Sequence, residues 1–168
     1  IIEVDTVIDD IGVSLTRYLE QNNIEDPAVI GIRSGGVWVA EQLHQKIQSP
    51  APLGELDISF YRDDFTRVGL NPKVKPSSLP FETEGRNIIL VDDVVMSGRT
   101  IRAAMNEIFD YGRPARILLV ALVDVGRREL PIQPDIVGKS LSLPDSEQVK
   151  LVKDAEGQLS LLQKIVAV

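Results

Sequence analysis

The sequence holds no cysteine and a single histidine, His44. The first absence excludes disulfides, thiolate nucleophiles and Cys-ligated zinc or iron–sulfur centres, and the second excludes multi-histidine metal sites. Positive charge is also scarce: 18 Lys and Arg stand against 25 Asp and Glu, a formal charge of −7. A uniformly basic protein that coats nucleic acid is excluded, although a local basic patch is not. No apolar run reaches the roughly 18 to 20 residues that cross a bilayer. The opening IIEVDTVIDD lacks the basic-then-apolar layout of a signal peptide. Neither G-x-x-x-x-G-K-[ST] nor G-x-G-x-x-G occurs, so the two commonest glycine motifs for phosphates are missing. These features predict a soluble, cytoplasmic protein with no membrane partner. Because the sequence starts at Ile1 without a Met, further native residues are expected ahead of it.

What is present suits one α/β domain over residues 1–168, with 43% apolar residues to build a core. Short Val- and Ile-rich runs alternate with segments of helical period, the pattern of strands and crossover helices in a parallel sheet. Ala28 to Ile32 reads as a buried strand. It runs into Gly35 and Gly36 and then a helix to about Gln48, with Val39, Ala40, Leu43 and Ile47 on one face. Leu56 to Tyr61 alternates like a half-buried strand. Arg62 to Arg86 carries Gly69, Pro72, Pro76 and Pro80 without a period, and reads as a long loop of the kind that is functional or disordered. Asn87 to Val91 leads through DDVVMSGRT into a helix with Ile101, Ala104, Met105, Ile108 and Phe109 on one face. Gly112 stands there as a left-handed C-cap, and a further strand follows at Arg116 to Val123. The tail holds short apolar pieces at Ile136–Val137, Gln148–Val152 and Leu159–Val168, the last two around an Asp-Ala-Glu-Gly turn. His44 falls on the polar side of its helix, as a surface residue.

The segment VDDVVMSGRT, Val91 to Thr100, concentrates the chemistry. Ser97 and Gly98 are small where the backbone must turn close to a ligand, and the helix start offers unpaired N–H groups at the positive end of its dipole. Those are the requirements of a phosphate cradle. Asp92 and Asp93 leave the carboxyl end of the strand and supply oxygens for sugar hydroxyls or a hydrated Mg²⁺, so a sugar phosphate is the ligand expected. Paired aspartates also suit a plain turn or a lone metal site, and Ser-Gly also suits an ordinary helix cap.

IILVDDVVMSGRT, residues 88 to 100, resembles the phosphoribosyl-pyrophosphate signature of the type I phosphoribosyltransferases. GELDISFYRDD, GRPARILLVALVD and RRELPIQPDIVGKSL further resemble the pyrimidine-operon attenuation regulators that are also uracil phosphoribosyltransferases. The resemblance implies a type I phosphoribosyltransferase-like parallel sheet flanked by helices, with a small hood, mainly 124–145, and a mobile flap, about 62–80. It implies that Val95, Met96, Ser97, Gly98, Arg99 and Thr100 hold the 5-phosphate. Asp92 and Asp93 would be catalytic, hold the ribose hydroxyls and contribute to binding Mg²⁺, which arrives with the substrate. Arg33, Ser34, Gly35 and Gly36 would form the pyrophosphate loop, and Ile136, Val137 and Gly138 would read the base. The implied reaction is uracil and phosphoribosyl pyrophosphate to uridine monophosphate and pyrophosphate. Uridine nucleotides would act as the signal for binding an RNA leader, through Arg127, Arg128 and Lys139, by a homodimer or larger assembly.

Two residues sharpen that implication. Purine-using relatives carry an aspartate where this chain has Met96, and a thioether can neither give nor take a proton, so uracil is favoured over purines. The pyrophosphate loop commonly reads Lys-Thr-Arg-Gly, whereas here it is Arg-Ser-Gly-Gly, so the arginine expected at Gly35 is absent. Losing a charged donor to the leaving group costs about 1.5 to 3 kcal/mol, which Arg33 would offset in part. Two alternatives therefore stand beside the enzyme reading: a nucleotide-sensing RNA-binding regulator with little catalysis, and a phosphoribosyltransferase for another base.

Overall fold

The computed structural model describes residues 2–58 and 77–165. The chain runs α1 (Val4–Gln21), β1 (Ala28–Ile32), α2 (Gly35–Lys46), β2 (Gly54–Leu56), β3 (Asn87–Val95), α3 (Arg99–Tyr111), β4 (Arg116–Asp124), β5 (Ile136–Ser140), β6 (Glu147–Lys153) and β7 (Leu159–Ile165). Five strands form one sheet in the order β2-β1-β3-β4-β5, every pairing parallel, and β6 and β7 form an antiparallel hairpin.

Residue alternation along the strands fills two cores. Val29, Ile89, Val91, Val120 and Leu122 point to the face covered by α1 and α2, where Leu151 and Leu159 of the hairpin join them. Ala28, Ile30, Ile88, Leu90, Leu119 and Ala121 point to the opposite face, against Ile101, Ala104 and Ile108 of α3. Both faces are covered, which explains why these strands read as continuous apolar runs. Because α2 follows β1 on one face and α3 follows β3 on the other, the chain ends of these adjacent strands diverge. That divergence opens the crevice in which ligands bind in sheets of this kind.

Several boundaries differ from expectation. β2 covers Gly54–Leu56 rather than Leu56–Tyr61, because its partner β1 ends at Ile32 and the last rung is the Arg33 amide donating to the Leu56 carbonyl (2.9 Å). Residues 59–61, like most of the expected flap, lie outside the described residues. The stretch 77–86 is tied down rather than free: Glu55 and Ser78 exchange two backbone hydrogen bonds of 2.8 Å, and Thr83 is buried. Gly112 does end α3, but at φ 154° and ψ 171° rather than in the left-handed helical region. His44 is half-buried, its Nε2 2.7 Å from the Ala51 carbonyl, which ties α2 to the loop before β2. Among the described residues no helix is long and apolar enough to cross a membrane.

Candidate active site

The carboxyl ends of β1 and β3 open into a cavity of about 1010 Å³ lined by Arg33, Ser34, Gly35, Asp92, Asp93, Met96, Arg99 and Thr100. Residues far apart in sequence, the two loops singled out above, thus face one space. Its size accommodates a ligand of nucleotide scale.

Asp92 lies at the end of β3 with 4% exposure, and its Oδ1 accepts from the Asp93 amide at 2.9 Å. The Asp93 Oδ1 accepts in turn from the Val94 amide at 2.8 Å. Each carboxylate is held by the backbone of the next residue, so the pair is oriented before any ligand arrives.

Beyond them the chain turns through Gly98 at φ 92°, a conformation that L side chains rarely adopt. A Cβ there would also come within 3.3 Å of Ile132, a tight contact that adds to the backbone's preference for glycine. The Arg99 amide donates to the Ser97 hydroxyl at 3.1 Å, which satisfies the first donor of α3. The amides that follow keep the anion-binding character of a helix start. Three of the loop's carbonyls are bonded to residues 125–130: Val95 accepts from the Val125 amide (3.1 Å), Met96 from Arg128 (2.8 Å), and Ser97 from the Glu129 and Leu130 amides (2.9 and 3.1 Å), whereas the Gly98 carbonyl accepts from the Arg102 amide of α3 (3.0 Å). Arg99 itself is exposed and pairs with Glu129 at 3.0 Å.

The second loop is built differently. Arg33 pairs through Nε with Glu55 at 3.0 Å and lies 3.9 Å from Asp57. Its charge is balanced by two carboxylates, which weakens the expected compensation for the missing arginine. At Gly35 a Cβ would fall 2.1 Å from Asp93 Oδ2, so the Asp93 carboxylate occupies the space that a side chain would need. Gly35 and the buried Gly36 let the start of α2 pack directly on the end of β3.

Not every expected residue reaches the cavity. Val95 is core, and Ser97 and Gly98 shape the loop from behind its lining. Ile136, Val137 and Gly138 sit in β5, with Ile136 buried and Gly138 packed against Val7 and Ile11 of α1; none of the three lines the cavity. Arg127 and Arg128 are not the free cationic surface expected of an RNA site. Arg127 donates to the carbonyls of Leu143, Pro144 and Glu147, and Arg128 donates to Ile132, Met96 and Asp124. Of the three, Lys139 alone is exposed, and Arg127 and Arg128 are half-buried.

The cavity also gathers residues that the sequence reading missed. Trp38 enters from the first turn of α2, and Gln148, Lys150 and Leu151 enter from β6. Trp38 is the chain's one tryptophan and follows the glycine pair by two positions, a signal within reach of the sequence. For β6 there was none, because nothing local says where a terminal hairpin docks.

A site of this kind has known counterparts. The Phosphoribosyl transferase domain family matches residues 5–156. The chain is 57% identical over 153 residues to a protein from Pseudomonas paraeruginosa named Bifunctional protein PyrR, covering 91% of this chain and 89% of that one. It is 56% identical over 155 residues to the protein of the same name from Pseudomonas fluorescens, covering 92% of each. Among solved structures it is similar in fold to a hypoxanthine-guanine phosphoribosyltransferase from Bacillus anthracis, with a TM-score of 0.64, 22% identity, and 86% and 79% of the two chains covered. The hypoxanthine phosphoribosyltransferase of Trypanosoma cruzi superimposes with a TM-score of 0.63 at 16% identity, covering 93% and 83%.

Proposed function

The chain belongs to the phosphoribosyl transferase domain family, and on that premise we propose that it is a uracil phosphoribosyltransferase of the pyrimidine-operon regulatory type. The observation that carries the reading is one cavity shared by an ordered aspartate pair, a helix-start phosphate loop and a second glycine loop. In the reaction, uracil N1 bonds to the ribose C1, the C1–oxygen bond to pyrophosphate breaks with its electron pair leaving on pyrophosphate, and the N1 proton is released. Positive charge grows on the sugar and negative charge on the leaving group, so positioning and electrostatics dominate and no strong base is needed.

The roles follow from chemistry. The loop amides and the α3 start hold the 5-phosphate, and Asp92 and Asp93 hold the ribose hydroxyls. Met96, exposed at the cavity, offers an apolar wall without a proton, which suits a pyrimidine better than a purine ring nitrogen that must be protonated. The donor set also fits magnesium. Two adjacent carboxylates are hard ligands, and no group of three or more metal-binding side chains occurs among the described residues, so the ion would come bound to the substrate's phosphates. Asp92 and Asp93 would hold it, and it would supply charge neutralisation on the diphosphate. The base-reading role expected of Ile136, Val137 and Gly138 is not part of this proposal, because none of the three lines the cavity.

That the relatives are named bifunctional supports a second, regulatory activity, in which uridine nucleotides occupy the same cavity and an RNA leader binds elsewhere. Lys139 is the exposed candidate for that contact. A cytoplasmic homodimer or larger assembly belongs to the same proposal, and the exposed Phe109 and Tyr111 at the end of α3 would be covered in it. A second reading, a uridine-nucleotide sensor with little turnover, is favoured by the neutralised Arg33 and by Gly35. The discriminating experiment is a panel of bases with Mg²⁺ and phosphoribosyl pyrophosphate, read as pyrophosphate release, with Asp92→Asn as the control. Release with uracil but not hypoxanthine or guanine is expected. Tight uridine-nucleotide binding without release for any base would replace the enzyme by the sensor.

A further inference from the structure

Arg128 stands behind the phosphate loop, in a brace formed by residues 124–132. Its Nε donates to the Ile132 carbonyl at 2.6 Å, its Nη1 to the Met96 carbonyl at 2.8 Å and its Nη2 to the Asp124 carboxylate at 2.7 Å. Three acceptors around one guanidinium use the fixed fork of arginine, which an ammonium does not reproduce. The pair is well enclosed, with side-chain exposures of 18% for Arg128 and 9% for Asp124.

Asp124 is itself anchored, at the end of β4 and by the Gly126 amide at 2.9 Å. Burial pushes its carboxyl pKa upward, but the Arg128 hydrogen bond, the Gly126 amide and the guanidinium charge outweigh that and hold it below the usual 3.8. The central sheet thus fixes a carboxylate, the carboxylate fixes a guanidinium, and the guanidinium fixes a carbonyl of the loop.

The consequence follows from the planar trans peptide, in which C=O and N–H point in opposite directions. The carbonyls of Val95, Met96 and Ser97 are all bonded to the brace. The amides of Met96, Ser97 and Gly98 therefore face away from it, and of these residues Met96 lines the cavity, beside Arg99 and Thr100. A loop shaped before binding avoids the cost of ordering on binding.

We propose that Arg128 is a positioning residue for the sugar-phosphate substrate: through the Met96 carbonyl it presets the loop amides that receive the 5-phosphate. The proposal rests on the phosphoribosyltransferase reading.

The test measures the Kd of phosphoribosyl pyrophosphate with Mg²⁺ by calorimetry, beside kcat and KM with uracil and the thermal midpoint. It compares the wild-type chain with Arg128→Lys, Asp124→Asn and Arg86→Lys. Arg86 also donates to two carbonyls, of Glu82 and Asp26, but lies at the opposite end of β3. Arg128→Lys is expected to weaken substrate binding about tenfold to hundredfold, raising KM more than it lowers kcat. Asp124→Asn should shift Kd the same way by less, and Arg86→Lys should leave it unchanged. Wild-type affinity in a folded Arg128→Lys, or an equal loss in Arg86→Lys, would overturn the proposal; if Arg128→Lys does not fold, Asp124→Asn decides by the same criteria. A wild type that binds the substrate but releases no pyrophosphate would end the uracil reading and leave the Kd comparison to decide this one. A wild type that does not bind it would end both.

Discussion

The two loops that face the cavity recognise charge by opposite means. After β3, the carbonyls of Val95, Met96 and Ser97 are tied to a brace and the amides that follow them turn away from it, and Arg99 next to this loop is paired with Glu129. After β1, the loop 33–36 begins with an arginine, but Glu55 and Asp57 balance its charge. The two loops thus differ in what they hold: bonded carbonyls fix the peptide planes of the first, whereas two carboxylates balance the guanidinium of the second. Under the proposed function, the first loop would receive an anion through its preset backbone, and the second through a side chain whose charge its neighbours adjust. That asymmetry matches a substrate whose 5-phosphate is retained and whose pyrophosphate departs.

The largest expected effect breaks the first side of this contrast. Asp92→Asn should lower kcat/KM for phosphoribosyl pyrophosphate about a hundredfold or more, read as pyrophosphate release, because an ordered buried carboxylate at the sugar is lost. Next, Gly98→Ala should cost about 1 to 3 kcal/mol of stability in denaturant unfolding, since φ is positive and Ile132 is close. Its substrate KM should rise as well, which a purely structural strain elsewhere would not cause. On the second loop, Glu55→Gln should raise turnover by about threefold to tenfold by releasing Arg33 toward the leaving group. Unchanged turnover would show that Arg33 serves structure alone. Lys150→Ala, which removes a cation lining the cavity beside that loop, should raise the substrate KM by about twofold to fivefold.

The smallest effect concerns acid. Asp124 has a folded pKa below its unfolded value, so its stabilising contribution is complete above about pH 4 and is lost as pH falls through the folded pKa. The stability gap between wild type and Asp124→Asn should therefore close on acidification below pH 4 and stay constant from pH 5 to 7. Urea midpoints at each pH would show it, and a gap that widens toward acid would contradict the ion pair.

Much of the site was legible in advance because it is local. A buried strand, two acids, small residues and a helix start follow each other from Val91 to Thr100, and each obeys short-range rules of capping and turn formation. The same locality explains the strands of both cores. What was misread depends on distant contacts. Arg127 and Arg128 look like a surface pair from sequence, yet carbonyls supplied by residues 96, 132 and 143–147 draw them inward. β2 was displaced because its extent is set by β1, and Lys150 was missed because the hairpin's docking is not encoded near it.

The sequence by itself determined that this is one acidic, cysteine-free α/β chain with two acids, a small-residue turn and a helix start following a buried strand, because periodicity, composition and turn chemistry act over a few residues. Only the tertiary structure decided which charges remain available. Whether an arginine meets a ligand or a carbonyl depends on which groups the packed sheet brings within about 3 Å of it, and those groups come from every part of the chain.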